Sequence, residues 1–293
     1  MDSEAFKIDA YLKIIFYTIS AGFIKIIKYS ENLEKAEPLK ITIITVCKNS
    51  EHFITETIES VVNQTYKSIE YIIIDGNSTD NTADIIKHYS PMIHTWFSEA
   101  DDGMYFAINK GLNLATGDYI LILNSDDVLV SKDTIKKVVD CISEERLDFY
   151  HGNIINSKAG EYKKVKLFPV TYKQLLLSTH CTFAPHPCFL ISARLNKILG
   201  GYDQQYKYAS DYDYILKAFV TKGSKGKYLD IFISNFRIHD NSISASGKIT
   251  TERKNILIQH GYYKYSYIVR VFFYYTLWIY YKIINLGHRY KSV

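Results

Sequence analysis

The sequence predicts an α/β fold in which covering helices pack on a mostly parallel sheet. Short β-branched apolar runs alternate with longer stretches whose apolar residues recur at helical spacing. Two of the apolar runs end in acidic turns, IIIDGNSTD and LILNSDD. Because ligands of parallel α/β sheets bind outside the carboxyl ends of the strands, these turns are the first candidates for a functional site.

The elements of the first half follow one another regularly. Strands are predicted over residues 41–46, 69–75, 93–97 and 119–124. Asn49 or Ser50 caps a helix after the first strand, Asp80 caps one after the second, and a third helix covers residues around 105–115.

The second half has a less regular pattern. It contains another helix and strand within residues 131–150, a hairpin near 152–168, a helix near 172–178 and an irregular segment that reaches Gly201. Repeats, low-complexity tracts and flexible linkers are absent from the sequence.

The composition is that of a globular protein with an aromatic excess. The 293 residues carry a net charge of +4, which is too weak and scattered to indicate nucleic-acid binding. Aromatic residues make up 15% of the chain, with 26 tyrosines. The 4 cysteines are mostly far apart, so a disulfide framework is not expected. The acidic start of the chain argues against a secretory signal and predicts a cytosolic protein.

Both ends of the chain have an aromatic and basic composition. Residues 14–24 are uncharged but shorter than the roughly 20 residues that a spanning helix needs. Near the other end, Arg270 and Lys282 bracket a second aromatic and aliphatic run. Such segments suit amphipathic helices that lie in a membrane surface. Packing on the domain, or on another subunit, is the alternative.

Asp126 and Asp127 form the more acidic of the two turns. Neighbouring carboxylates repel each other unless a cation or hydrogen bonds compensate. A hard divalent ion that bridges to phosphate oxygens would do so, and Mg²⁺ or Mn²⁺ is the natural choice. The simpler alternative is that both residues only cap the following turn.

Four segments in order carry a family resemblance that covers residues 41–219. They are the first strand with Asn49, ESVVNQTYKSIEYIIIDGNSTDNT, SEADDGMYFAINKGLNLATGDYILILNSDD and GGYDQQYKYASDYDYILKAF. The chain resembles the family 2 glycosyltransferases, and the third segment resembles the branch that builds bacterial O-antigens, capsules and exopolysaccharides. The resemblance implies the GT-A fold, which binds nucleotide-diphospho-sugars.

The resemblance also implies roles for the two acidic turns. Asp75 matches the residue that contacts the nucleotide base, but Gly76 stands where many members have a second Asp, which leaves the uracil contact open between Asp75 and another group. In the other turn, Asp126 is expected to bind the nucleotide sugar and Asp127 the metal.

The segment between the two turns is expected to line the donor site. Asp101, Asn109 and Lys110 match positions there, and Lys110 would add positive charge near phosphate. A solvated helix lysine is the alternative for Lys110.

Asp211 matches the position of the catalytic base of inverting members. Asp213 lies two residues further on. Side chains two positions apart on a helix point in different directions, so Asp213 is expected to support the start of the helix instead. Glu99 and Asp213 are the alternatives for the base.

Two histidine-containing segments leave metal binding open. His239 resembles the C-terminal histidine that supplies a third metal ligand in some enzymes of this fold, with an ordinary loop histidine as the alternative. In HCTFAPHPC, the residues able to bind zinc are His180, Cys181, His186 and Cys188. Their spacing fits no usual zinc pattern, and His186 is expected to line the acceptor pocket.

Together these features predict an inverting hexosyltransferase that depends on Mn²⁺ or Mg²⁺. It is expected to move a sugar from a nucleotide sugar, a UDP-sugar by preference, to a glycan on a polyprenyl-diphosphate type of lipid at the inner face of the cell membrane. The predicted divisions are residues 1–36, 37–245 (donor half 37–130, acceptor half 131–245) and 246–293. A nucleotidyltransferase and a non-catalytic sugar-binding or scaffold protein are the alternatives.

Overall fold

The computed structural model describes residues 38–177, 184–239 and 249–286, and the backbone of a two-residue strand at Arg289–Tyr290. Residues 39–293 belong to one compact unit. The predicted segment 1–36 lies outside the described residues, as do His180 and Cys181, so the predictions about them stay predictions.

Four parallel strands form the centre of the sheet. They are β1 (Ile41–Cys47), β2 (Ile69–Asp75), β3 (Thr95–Ser98) and β4 (Tyr119–Ile122), in the spatial order β4-β1-β2-β3. The pairs β1–β2, β1–β4 and β2–β3 are all parallel. The helices that connect or follow them are α1 (Ile54–Val62), α2 (Thr82–Tyr89) and α3 (Met104–Leu114).

The second half widens the sheet with mostly antiparallel pairs. Its strands are β5 (Val128–Leu129), β6 (Phe149–Lys158), β7 (Glu161–Val165), β8 (Phe189–Ser192) and β9 (Gly226–Arg237). Its helices are α4 (Thr134–Glu144), α5 (Tyr172–Leu177), α6 (Ala193–Leu199) and α7 (Ser210–Val220). Strand β8 joins the halves, since it pairs antiparallel with both β4 and β6.

Strand β9 ends beside the acidic turn that follows β4. It runs parallel to β6, with irregular register around Asn153, and then pairs antiparallel with β5. In that pairing Val128 lies opposite Asn235. The residues that follow β9 therefore lie close to the turn that contains Asp126 and Asp127.

The described C-terminal residues pack on this sheet. Helices α8 (Ile249–Gln259) and α9 (Tyr267–Ile284) precede β10 (Arg289–Tyr290), which pairs antiparallel with β7. Leu277 is buried in the core, and the Asn285 side chain exchanges hydrogen bonds with the backbone of Lys166. Among the described residues no helix has both the length and the apolar character needed to cross a membrane.

Both faces of the central sheet are buried, which explains its continuous apolar strands. Along β1, Ile44 and Val46 face a cluster that includes α3 and α7, while Ile41 and Ile43 face one that includes α1, α2 and α4. Each fully buried isoleucine contributes roughly 1.5–3 kcal/mol. The predicted mostly parallel α/β arrangement with helices on its faces is confirmed.

Some helix starts and short elements differ from the predictions. Helix α1 begins at Ile54, and the side chain of Ser50 bonds Ser125 instead of capping the helix. Asp80 does accept the Thr82 backbone N–H at the start of α2. The segment predicted to be irregular before Gly201 contains β8 and α6, both too short for periodicity to reveal.

Candidate active site at the carboxyl edge of the sheet

Hydrogen bonds between turns hold the carboxyl ends of β1 and β4 together. The Oγ atoms of Ser50 and Ser125 are 2.8 Å apart. On α1, the Thr57 hydroxyl lies 2.8 Å from each of the backbone oxygens of Ser125 and Asp127. These contacts fix the acidic turn against the first helix, so its two carboxylates have defined and different surroundings.

Asp127 is the buried member of this pair. Its side chain has no exposed surface and accepts hydrogen bonds from the Arg237 backbone N–H at 3.2 Å and, more weakly, from the Asn124 amide at 3.5 Å. Burial, and then the neighbouring Asp126 charge, raise the pKa of Asp127 well above its usual value. Asp127 therefore serves to join the acidic turn to the end of β9.

Asp126 is the partly exposed member, and it meets His239. The Nε2 atom of His239 lies 2.9 Å from Asp126 Oδ2, with both side chains about a quarter exposed, at 27% and 24%. The His239 ring stacks on Phe53 at a centroid distance of 4.9 Å. Arg237 also contacts the Phe53 ring and pairs with Glu56 at 2.5 Å. The end of β9 is thus held over α1 so that His239 faces the acidic turn.

The Asp126 and His239 side chains fit a divalent cation. A carboxylate oxygen suits Mg²⁺ or Mn²⁺, and an imidazole nitrogen beside it favours Mn²⁺ over Mg²⁺, which is usually held by oxygen. In the same turn, Asn124 Oδ1 is buried without a hydrogen-bond partner in the described part of the chain. The described residues contain no group of three or more His, Cys, Asp or Glu side chains placed to hold a metal. A cation at Asp126 would therefore need oxygens from a ligand to complete its coordination.

Asp75 is placed at the same sheet edge but is not available to a ligand. It is completely buried, and one carboxylate oxygen accepts the Ser78 hydroxyl while the other accepts the Ser98 hydroxyl at 2.6 Å and the Ser78 N–H at 3.1 Å. Its role in the structure is to shape the turn after β2 and to tie it to the end of β3.

Asp101 and Lys110 lie beside a shallow cavity of about 240 Å³ between the ends of β2 and β3 and the start of α3. Asp101 Oδ1 accepts the Gly103 N–H at 2.9 Å. Lys110 pairs with Glu99 and lies over the Phe97 ring at 4.4 Å. The structure thus places both predicted residues at the sheet edge, with the lysine charge already partly balanced.

Asn109 has a positioning role that the sequence did not reveal. Its carboxamide donates to the Tyr202 backbone oxygen and accepts the Tyr202 N–H, both at 2.8 Å. Gly201 adopts φ +86°, and a Cβ atom there would lie 2.6 Å from Asn109 Oδ1. Asn109 therefore clamps the GGYD loop onto α3, which brings the aromatic ring of Tyr202 into the site.

Asp211 lies on α7 at the end of a layer of tyrosines. The Tyr105 hydroxyl donates to Asp211 Oδ1 at 3.1 Å, and Tyr105 stacks on Tyr202 at 5.6 Å. The Tyr202 hydroxyl shares a 2.6 Å hydrogen bond with His186 Nε2. Burial lowers the pKa of His186, against a smaller opposite effect of Asp211, so a neutral imidazole is favoured beside the Asp211 carboxylate.

Asp213, by contrast, faces away from this layer into the C-terminal helices. It is buried and contacts His260 at 2.9 Å and Lys217 at 2.5 Å. Burial alone would raise its pKa, but the hydrogen bonds from His260 and Lys217 hold the pKa below its usual value. These contacts tie α7 to the C-terminal helices, and support of the helix start by Asp213 stays a prediction.

Glu252 of α8 holds the chain just ahead of Asp211. Its carboxylate accepts the backbone N–H groups of Lys207, Tyr208 and Ala209 at 2.9, 2.7 and 3.0 Å. The C-terminal helices thereby set the position of α7. Sequence reasoning missed Glu252, Tyr105 and Tyr202, since nothing in their spacing marks them, although Tyr105 and Tyr202 lie within the motif segments.

The described members of the zinc candidate group have separate partners. His186 bonds Tyr202, whereas Cys188 contacts Asn153 and Ser234 in the core, where burial raises its pKa to about 12. Cys47, Cys141 and Cys188 are free thiols. The remaining two candidates, His180 and Cys181, lie outside the described residues.

Relatives place this geometry in a family. The model of glycosyl transferase family 2 matches residues 42–199. The PGL/p-HBAD biosynthesis glycosyltransferase of Mycobacterium bovis is 27% identical over 186 residues, which cover 61% of this chain and 69% of that protein. The glycosyltransferase GlyA of Streptococcus pneumoniae is 32% identical over 124 residues, which cover 42% of this chain and 18% of GlyA.

Solved structures agree on the fold. The structure of S. aureus TarS (residues 1–349) with UDP-GlcNAc matches with a TM-score of 0.61 at 20% identity, over 75% of this chain and 65% of TarS. The mannosyltransferase PcManGT of Pyrobaculum calidifontis, with GDP-Man and Mn²⁺, matches with a TM-score of 0.55 at 16% identity, over 80% and 69%. These likenesses confirm the GT-A fold, and the family match extends over more than half of the chain. The protein is a glycosyltransferase and belongs to glycosyl transferase family 2.

Proposed function

We propose that this glycosyltransferase moves a hexose, with inversion, from a UDP-sugar to a lipid-linked glycan during the assembly of a surface polysaccharide such as an O-antigen, a capsule or an exopolysaccharide. The observation that carries the proposal is the 2.9 Å pairing of Asp126 with His239 at the carboxyl edge of the sheet. It supplies partly exposed metal ligands where a parallel α/β sheet binds its ligands.

The metal ligands we propose are Asp126 and His239. This differs from the roles that the family resemblance implies, in which Asp127 binds the metal and Asp126 the nucleotide. The contacts support the exchange, because Asp127 is buried and engaged by the Arg237 backbone, whereas Asp126 is partly exposed. Mn²⁺ or Mg²⁺ at this place would stabilise the negative charge of the departing diphosphate.

The base we propose is Asp211. It takes the proton of the acceptor hydroxyl while that oxygen attacks the anomeric carbon, and the bond from the anomeric carbon to the diphosphate oxygen breaks on the opposite face. The Tyr105 hydroxyl, at 3.1 Å, orients the carboxylate. His186, held neutral by burial, adds no positive charge that would weaken the base.

The donor and acceptor are supported less directly. TarS binds UDP-GlcNAc and PcManGT binds GDP-Man in their structures, so both nucleotide classes occur on this fold. We favour a UDP-sugar because TarS, which binds one, matches with the higher TM-score of the two, 0.61 against 0.55. Tyr202 and His186 lie on the Asp211 side of the site, where the acceptor hydroxyl has to enter.

A lipid-linked acceptor is supported by the surface of α9. Large apolar side chains are strongly exposed there, with Tyr267 at 73%, Ile268 at 78% and Phe272 at 61%. Residues 253–293 contain no acidic side chain, whereas Lys and Arg recur along them. An aromatic and basic helix of this kind suits the surface of an anionic membrane, so we propose peripheral binding at the cytoplasmic face.

The test is UDP release from a panel of UDP-sugars with a lipid-diphosphate-linked N-acetylhexosamine as acceptor, with and without Mn²⁺. Turnover that needs both the metal and the acceptor, and that Asp211→Asn removes, would support the proposal. Turnover of GDP-sugars alone would contradict the donor. A product with the anomeric configuration of the donor would contradict inversion.

A further inference from the structure

We propose that Arg253 of α8 and Arg270 of α9 bind the diphosphate of the lipid that carries the acceptor glycan. This inference rests on the proposed function and names the groups that would recognise its acceptor. Both arginines belong to the C-terminal helices, which the sequence predicted to bind a membrane but to which it assigned no ligand.

Aromatic rings hold both guanidinium groups in place. The guanidinium carbon of Arg253 lies 4.5 Å from the centroid of the Tyr212 ring. That of Arg270 lies 4.9 Å from the centroid of Tyr262 and 5.0 Å from that of Tyr263. A guanidinium that packs on a ring is fixed without using its N–H donors, which stay available for an anion.

The charges of these two arginines are not balanced by carboxylates. In the part of the chain that the structure describes, neither Arg253 nor Arg270 forms an ion pair, in contrast to Arg237, which pairs with Glu56. The Nε atom of Arg270 is buried and has no hydrogen-bond partner among the same residues. Residues 253–293 contain no acidic side chain. A buried donor without a partner is costly, and a phosphate oxygen would satisfy it with a charge-assisted hydrogen bond.

The rings under the two arginines belong to one cluster of tyrosines. Burial raises the pKa of Tyr212 to about 12, Arg253 acts against this rise, and Tyr262 adds to it. This electrostatic interaction requires that Tyr262, which contacts Arg270, lies near Tyr212, which contacts Arg253. Helices α8 and α9 therefore bring both guanidinium groups to the same part of the surface.

This cluster lies between the proposed base and the proposed membrane surface. On one side, Tyr212 is the residue next to Asp211 on α7. On the other, the ring of Tyr267 lies 5.9 Å from the Arg270 guanidinium and is 73% exposed. A lipid tail in the bilayer would hold its diphosphate at the level of the headgroups, where aromatic and basic side chains are favoured. The attached glycan would then extend towards Asp211.

A diphosphate suits two arginines better than a single phosphate does. Each guanidinium is a planar fork that can bind two oxygens of one phosphate, so two guanidinium groups can engage both phosphates at once. The phosphates of the donor nucleotide are assigned to a different place, beside Asp126 and His239. The anion we propose for Arg253 and Arg270 is therefore that of the acceptor lipid.

The experiment measures binding of the full chain to phosphatidylcholine vesicles of two kinds. One kind contains a lipid-diphosphate-linked N-acetylhexosamine, and the other contains phosphatidylglycerol in the amount that gives the same negative charge. Wild type should bind the first kind about tenfold to a hundredfold more tightly, the usual effect of hydrogen bonds between charged groups. Arg253→Gln and Arg270→Gln should each lose most of this preference. Lys254→Gln, which removes an exposed charge beside Arg253, is the matched control and should keep it.

A second set of variants guards against a folding defect. Arg253→Lys and Arg270→Lys keep the charge but lose the planar fork, so they should keep part of the preference and bind UDP with Mn²⁺ as wild type does.

Two results would overturn the inference. Equal binding of wild type to both kinds of vesicle would show that any anionic headgroup is sufficient, and an intact preference in the Gln variants would show that the arginines serve packing alone. UDP release in the vesicles with the diphosphate lipid tests the proposed function separately. Turnover without the preference would refute the inference alone, whereas the preference without turnover of any nucleotide sugar would refute the proposed function alone.

Discussion

Two regions of the molecule each carry a pair of aspartates that are close together in the sequence. In each pair one side chain is buried and the other is partly exposed. At the end of β4, Asp127 is buried and Asp126 is partly exposed; at the start of α7, Asp213 is buried and Asp211 is partly exposed. In each pair the buried carboxylate is held by a distant part of the chain, Asp127 by β9 and Asp213 by the C-terminal helices.

The pairs differ in how the buried charge is balanced. Asp213 contacts His260 and Lys217, which keep its pKa low, whereas Asp127 is met by a backbone N–H and an amide, and its pKa is raised. A buried carboxylate with a cationic partner stabilises the fold in its charged form, while one without such a partner favours the neutral form. We therefore propose a chemical role for the exposed member of each pair and a structural role for the buried one.

The largest expected effect is at Asp211. Asp211→Asn removes the proposed base but keeps the size of the side chain, so kcat should fall by about 10²–10⁴ while the dissociation constant of UDP stays the same. Steady-state kinetics and UDP binding on the same preparation measure this. Asp140→Asn, at an exposed carboxylate of α4, is the control and should keep the wild-type activity. An unchanged kcat in Asp211→Asn would contradict the assignment of the catalytic base to Asp211.

His239→Ala tests the proposed metal ligand that faces Asp126. Losing one metal ligand should raise the concentration of Mn²⁺ needed for half-maximal UDP release by about tenfold to a hundredfold. A Mn²⁺ titration of initial rates measures the change. His94→Ala removes an exposed histidine far from the acidic turn and should leave the titration unmoved. An identical Mn²⁺ requirement in both variants would contradict the role of His239.

Asp213→Asn should lower stability by about 1–3 kcal/mol, since it leaves His260 and Lys217 without their charged partner. Because the folded pKa of Asp213 lies below its usual value of 3.8, its contribution is present above that pH and is lost as the pH falls through the folded pKa. The difference between wild type and variant in urea unfolding should therefore be full at pH 7 and shrink below about pH 4. A difference that grows in acid would mean that the carboxylate is not stabilised in the fold.

Substitutions on the surface of α9 should have the smallest effect. They test whether the C-terminal helices bind a membrane. Ile268→Asp with Phe272→Asp should weaken binding to anionic vesicles by about tenfold or more in a sedimentation assay, because burial of both side chains is lost. Ile198→Asp, at another exposed apolar position, on α6, is the control. Loss of a dimer, with no change in vesicle binding, would show that a second copy of the chain covers this surface instead.

The sequence predicted the donor side of the fold better than the acceptor side, for a physical reason. Strands β1, β2 and β3 are each followed by a helix, and β2 pairs with the strands before and after it in the chain, so periodicity and turns are sufficient there. Strand β8, Asn109 and Glu252 depend on partners far away in the chain, which no local pattern encodes.

The candidate site shows the same limit. The acidic turns, Asp101 and Asp211 could be located from motifs, but the division of labour between Asp126 and Asp127 depends on burial by β9, more than 100 residues later. The same holds for Gly76, whose need for a small side chain becomes visible once Asp101 is seen beside it.

The most direct test of the account compares Asp126→Asn with Asp127→Asn in Mn²⁺ binding, measured by calorimetry in the presence of UDP. We expect Asp126→Asn to weaken Mn²⁺ binding by about a hundredfold or more, because it removes a charged ligand. Asp127→Asn, which changes a buried carboxyl that is engaged by the Arg237 backbone, should stay within about tenfold of wild type. The reverse order, with Asp127→Asn the more damaging change in a folded protein, would show that the metal is held by the buried carboxylate and would contradict the division proposed for both pairs.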